Sequence, residues 1–109
     1  MREITTRDAL KVRDSTGKPV VLYFFDYWSP HTIHFVPEAR AVAEKLEKRA
    51  LFYWIPIDEN PSVVELFNIE TTPTTLIYQK GDLVGHLEGP YSAESLERRV
   101  KDKIKRVKK

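Results

Sequence analysis

Between Pro19 and Asp26 the chain runs Val-Val-Leu-Tyr-Phe-Phe, with no charged or small polar residue to offer one face to water. A β-branched and aromatic run of this kind suits a strand covered on both faces, as at the centre of a sheet with helices on each side. The segments around it must therefore supply those helices and the neighbouring strands.

They read accordingly. Upstream, residues 2–5 are expected as an edge strand, and Thr6 as the cap of a short helix carrying Ala9, Leu10 and Val12, ended by Gly17. Downstream, Pro30 suits a first helical turn, where its missing N–H costs nothing, and Phe35, Ala39, Ala43 and Leu46 continue at helical spacing toward Lys48. Pro37 lies inside this helix and is expected to bend it. Leu51 to Ile57 reads as a second apolar strand, and Asp58 to Pro61 as a turn into a short helix with Val63, Val64, Leu66 and Phe67. Pro73 to Tyr78 and Leu83 to Leu87 flank Lys80-Gly81-Asp82 as a hairpin. Ser92 caps a last helix whose stripe is Leu96, Val100, Ile104 and Val107. The order is βαβα followed by ββα, an α/β class with a central mixed four- to five-stranded sheet flanked by helices on both faces.

A length of 109 residues suits one core, so residues 1–109 are expected to form a single domain. Lys and Arg number 18 against 16 Asp and Glu, and a net charge of +2 creates no global field demanding nucleic acid or an anionic membrane. The basic stretch from Lys101 to Lys109 fits a helix C-terminus offsetting its dipole, and no aromatic platform accompanies it. The longest apolar run falls far short of the ~20 residues that span a bilayer. Met1-Arg2-Glu3 opens no leader pattern, so a cytoplasmic location is the expectation. There are no cysteines, which excludes disulfides, thiolate metal sites and thiol nucleophiles built from this chain.

Marker residues in register with these elements resemble the thioredoxin family over almost the whole length. Trp28 stands where that family has the tryptophan before its Cys-x-x-Cys, and Pro37 matches the proline of its active-site helix. Asp58-Glu59-Asn60-Pro61 resembles the Asp-x-Asn-Pro after the third strand. Thr72-Pro73-Thr74 resembles the cis-proline loop facing the site, and Lys80-Gly81 and Gly89 match later glycine positions.

The resemblance implies a redox site at Ser29-Pro30-His31-Thr32, where the family's two cysteines are replaced by Ser29 and Thr32. Hydroxyls form no disulfide, and they need an adjacent base to act as nucleophiles. Tyr23 occupies the position of the family's buried acid, and Trp54 that of the lysine paired with it, so the proton relay is absent too. The expectation is a redox-inactive protein, not an enzyme of thiol-disulfide exchange, with no cofactor. Its partner is expected to be a peptide or protein bound at the cis-proline groove by Tyr27, Trp28, His31, Phe35, Thr72 and Pro73. Two other classes compete. His31 and His34, three apart on one helix near Asp26, suggest a metal, although two imidazoles fix none, and Ser29 could orient a glutathione-type thiolate. A structural or oligomerisation module is the remaining reading.

Overall fold

A computed structural model describes residues 2–14 and 17–107 of the chain, and the side chains of all of these except 105–107. The elements are β1 (Arg2–Glu3), α1 (Thr6–Arg13), β2 (Val20–Phe25), α2 (Pro30–Lys45), β3 (Leu51–Pro56), α3 (Ser62–Leu66), β4 (Thr74–Gln79), β5 (Asp82–Glu88) and α4 (Ala93–Val107). The five strands form one sheet in the order β1-β3-β2-β4-β5. β3 runs parallel to β1 and β2, whereas β4 pairs antiparallel with β2 and β5.

The apolar run is β2, buried along its whole length at the sheet's centre. Its alternating side chains serve two cores: Val21 and Tyr23 pack with Phe35, Val42, Leu96 and Val100 beneath α2 and α4. Val20, Leu22 and Phe24 pack with Ala9, Val63 and Phe67 beneath α1 and α3. The continuous hydrophobicity of β2 is thus two half-patterns laid on opposite faces.

Local chemistry sets the ends of the elements. Thr5, not Thr6, caps α1 by accepting the Asp8 N–H at 3.4 Å, and the cap at the far end is Asp14, ahead of Gly17. Thr6 becomes the first helical residue, its N–H donating to Asn60 Oδ1 at 3.1 Å. α2 ends at Lys45 rather than near Lys48, because Leu46 is its C-cap and the following turn folds back on the Leu46 carbonyl. Pro37 lies within α2 without ending it. The β4–β5 connection uses Lys80 and Gly81 at φ 53° and 85°, the pair of positive φ values a two-residue hairpin turn requires. For α4, Ser92 Oγ accepts the Ser95 N–H at 3.2 Å, and Glu38 of α2 accepts the Ala93 N–H at 2.5 Å, placing a carboxylate on the helix's positive end. Leu96, Val100 and Ile104 are buried as the stripe requires, while the side chain of Val107 lies outside the described residues.

Candidate functional site

The C-terminal end of β2, the start of α2 and the loop before β4 meet around Asp26. Its carboxylate Oδ1 accepts the Ser29 N–H at 2.5 Å, and Oδ2 accepts the Thr72 hydroxyl at 2.6 Å. The Asp26 backbone carbonyl accepts the Thr32 hydroxyl. One residue therefore ties the helix start to the loop containing the Thr72–Pro73 peptide, which is cis. Next along the chain, the Tyr27 N–H donates to Asp58 Oδ2 at 2.6 Å and its phenol donates to Glu3 Oε1 at 3.1 Å, anchoring the loop to β1 and the turn after β3.

Both hydroxyls at the motif positions are engaged structurally. Ser29 is the N-cap of α2, its Oγ accepting the His31 N–H at 3.2 Å, and Pro30 fills the first turn. Thr32 is buried, and its hydroxyl is committed to the Asp26 carbonyl. Neither hydroxyl hydrogen-bonds a basic side chain among the described residues, so neither has a group to take its proton.

Behind them the site is packed with rings. Tyr23 and Trp54 are direct neighbours in the β2–β3 register. Tyr23 meets Phe35 edge-on at 5.6 Å and Phe52 at 6.0 Å. Trp54 lies 5.0 Å from Phe25 and carries the Arg40 guanidinium over its outer face at 5.3 Å. Burial drives the Tyr23 phenol far above its ordinary range, so it holds its proton, and its Oη reaches only the Ala39 carbonyl at 3.4 Å. Thr75, opposite Tyr23 on β4, is fully buried with no partner for its hydroxyl among the described residues.

The residues expected in a groove separate into two groups. Trp28 is 86% exposed, Tyr27 46%, and His31 also faces solvent. Thr72 is half-buried, and its backbone N–H and C=O make no hydrogen bond among the described residues. Pro73 is buried, its carbonyl accepting the Gly89 N–H at 2.8 Å. Phe35 departs from the expectation: at 1% exposure it is a core residue under Tyr23 and offers nothing to a ligand. Its helical spacing with Ala39 and Leu46 already placed it on α2's inner face. His31 and His34 are both exposed while the Asp26 carboxylate is turned to Ser29 and Thr72, and no cluster of three or more His, Asp or Glu side chains converges among the described residues.

Sequence reasoning missed the role of Asp26 and the exposure of Ile33. Asp26 as a hub was signalled by an Asp three residues before the capping Ser29, a spacing at which a carboxylate reaches a backbone N–H. Ile33, 73% exposed, was signalled as an apolar residue off the core stripe of α2.

A mixed five-stranded sheet with helices on both faces, and a helix N-terminus facing a cis-proline loop at the end of its central strand, defines a thioredoxin-type domain. Residues 5–102 match the family model for thioredoxin. The chain belongs to the thioredoxin family. It is 26% identical over 91 residues to Thioredoxin Y1, chloroplastic, of Arabidopsis thaliana, covering 84% of this chain and 53% of that protein. It thus spans about half the length of that relative. It is 29% identical over 86 residues to a thioredoxin of Echinococcus granulosus, covering 79% of each. The Plasmodium falciparum thioredoxin structure superposes with a TM-score of 0.84 at 19% identity, covering 94% of this chain and 98% of that one. Having no cysteine, the chain cannot cycle a dithiol of its own. No helix among the described residues is long and apolar enough to cross a membrane.

Proposed function

We propose that this protein is a redox-inactive member of its family that binds an extended peptide, or such a segment of a protein, beside the Thr72–Pro73 loop. The observation that carries the reading is an unengaged Thr72 backbone beside a loop that exposes Trp28, the Thr72 hydroxyl and the Ser29 N–H that follows Trp28 both being held by the Asp26 carboxylate. An extended peptide gains affinity by backbone hydrogen bonds of the kind Thr72 leaves open, and specificity from side chains packing on an apolar neighbour. Trp28 supplies that neighbour, with Ile33 of α2 a second exposed apolar side chain, and neither function needs a thiol.

Selection from a displayed-peptide library tests this. Peptides retained by the native protein are expected to lose about tenfold or more in affinity on Trp28→Ala, as for an aromatic anchor at a binding surface. Peptides indifferent to Trp28→Ala and Ile33→Asp would place binding elsewhere. An insulin-reduction assay with dithiothreitol is expected to stay at background, and turnover above it would overturn the redox-inactive part.

A further inference from the structure

At the opposite end of the sheet, about 20 Å from Asp26 along the six residues of β2, lies a cavity of about 280 Å³ lined by Lys18, Pro19, Lys48, Arg49, Gln79 and Ile104. Among the described residues three cations and no carboxylate line it, although the whole chain carries a net charge of only +2. Its walls are fixed by main-chain bonds. Leu51 N–H donates to the Pro19 carbonyl at 2.8 Å, and the Arg49 and Ala50 N–H groups fold onto the Leu46 carbonyl at 2.9 and 3.1 Å. Lys18 Nζ is drawn to the end of α2 by the Glu47 carbonyl at 3.5 Å. Gln79 is only 8% exposed, and its carboxamide has no hydrogen-bond partner among the described residues, although it lines this cavity.

We infer that this cavity binds a small phosphate monoester, its dianion held by Lys18, Lys48 and Arg49 and its hydroxyl-bearing body by Gln79 against Pro19 and Ile104. Three cations match a phosphate dianion, and the planar Arg49 fork suits its oxygens. Gln79, with a donor and an acceptor on one group, suits a hydroxyl. The volume lies at the lower limit of small-molecule sites, which fits a sugar phosphate and leaves no room for a dinucleotide. The competing role for these cations is to offset the dipole at the end of α2, but the last turn already carries Lys45, and that role makes no use of the Gln79 that lines the cavity beside them.

The test is an amide-resolved NMR titration of the full chain with ribose 5-phosphate, inorganic phosphate and a single-stranded oligonucleotide in parallel at low ionic strength. Ribose 5-phosphate is expected to saturate shifts at Lys18, Arg49 and Gln79 while Trp28 and Thr72 stay still. Arg49→Glu is expected to weaken it by about tenfold or more, the loss of a charge-assisted bond. Gln79→Leu, which keeps every charge, is expected to weaken ribose 5-phosphate several-fold and leave inorganic phosphate unchanged. No saturation by about 10 mM, equal weakening of both phosphates by Gln79→Leu, or oligonucleotide binding that is tighter and indifferent to Gln79→Leu would each overturn the proposal. Should Arg49→Glu disturb the turn, Lys48→Gln provides the charge variant.

Discussion

Thr72 donates its hydroxyl to the Asp26 carboxylate across 2.6 Å, and the other oxygen of that carboxylate holds the Ser29 N–H at 2.5 Å. The Trp28–Ser29 peptide and the Thr72 side chain are thereby tied to one carboxylate, with Thr32 adding a third tie to the Asp26 carbonyl. A hydrogen bond to a charged group contributes about 1.5–3 kcal/mol net, and these two share one acceptor. Asp26→Ala is therefore expected to destabilise the fold by about 2–4 kcal/mol, and Thr72→Val by about 1–2. Urea unfolding checks both. An Asp26→Ala loss under about 0.5 kcal/mol, within the range of an ordinary surface change, would show that the loop needs no hub.

Tyr23 stands where the resemblance places a buried acid, and its surroundings fit a phenol and not a carboxylate. It is 1% exposed between Phe35 and Phe52, with only the Ala39 carbonyl near its oxygen. Tyr23→Phe is expected to cost about 1 kcal/mol or less, since the bond is long. Tyr23→Asp is expected to cost several kcal/mol, because it leaves a cavity and a buried carboxyl among rings. Denaturant midpoints separate the two, and similar losses would mean the site is more open to water than its packing indicates.

Restoring the sulfurs tests the same point chemically. Ser29→Cys with Thr32→Cys is expected to form a disulfide, because the two positions share the first turn of α2. Turnover in insulin reduction is nonetheless expected to lie about a hundredfold below that of an ordinary thioredoxin, the scale of a missing general base. Position 32 is buried, and the Tyr23 phenol, standing where the resemblance places the family's acid, keeps its proton and so cannot act as a base. Full turnover would show that water alone serves as the relay.

The architecture was legible because β2, α2 and α4 carry unbroken patterns, and apolar periodicity survives without knowledge of neighbours. The expected hairpin became β4 and β5 for the same reason, with Lys80-Gly81 naming the turn. What was not legible depends on distance in space. Nothing local assigns Thr5 over Thr6 as the cap, because Thr6 is drawn into the helix by Asn60, far along the chain. Asp26 was read only as a nearby carboxylate, since its partner Thr72 lies 46 residues away. Phe35 was assigned to the groove because the motif surrounds it, although its helical phase put it inside.

Three tyrosines make the fold sensitive to alkali. Partial burial, the hydrogen bond to Glu3 and the nearby Glu59 and Asp58 carboxylates push Tyr27 up to about 12, and burial raises Tyr23 and Tyr78 as well. In the unfolded chain phenols ionise near 10. Above about pH 10 the unfolded state therefore releases protons that the native state keeps, so stability is fully present below that pH and falls as the pH climbs toward about 12. Urea midpoints are expected to decline over this window, with Tyr27→Phe showing a shallower decline. Tyrosinate absorbance appearing near pH 10 for every tyrosine of the folded protein would contradict this.

Gly85 marks where α4 closes on the sheet. The β4–β5 register pairs Ile77 with Gly85 and Tyr78 with Leu83, leaving Val84 as the extra residue of a bulge. The bulge turns Gly85 inward beneath α4. A Cβ there would lie 2.8 Å from Ile77 Cδ1, 3.2 Å from Ile77 Cβ and 3.1 Å from Lys103 Cγ. The lysine stem can swing away, but Ile77 is fully buried and cannot. Gly85→Ala is expected to destabilise by about 1–3 kcal/mol, the cost of one added methyl in a closed core. Ile77→Val, which removes the Cδ1 methyl, is expected to recover part of that loss when combined with Gly85→Ala, giving a non-additive cycle. Strictly additive losses in urea unfolding would place the strain on the backbone of the bulge rather than on the contact with Ile77.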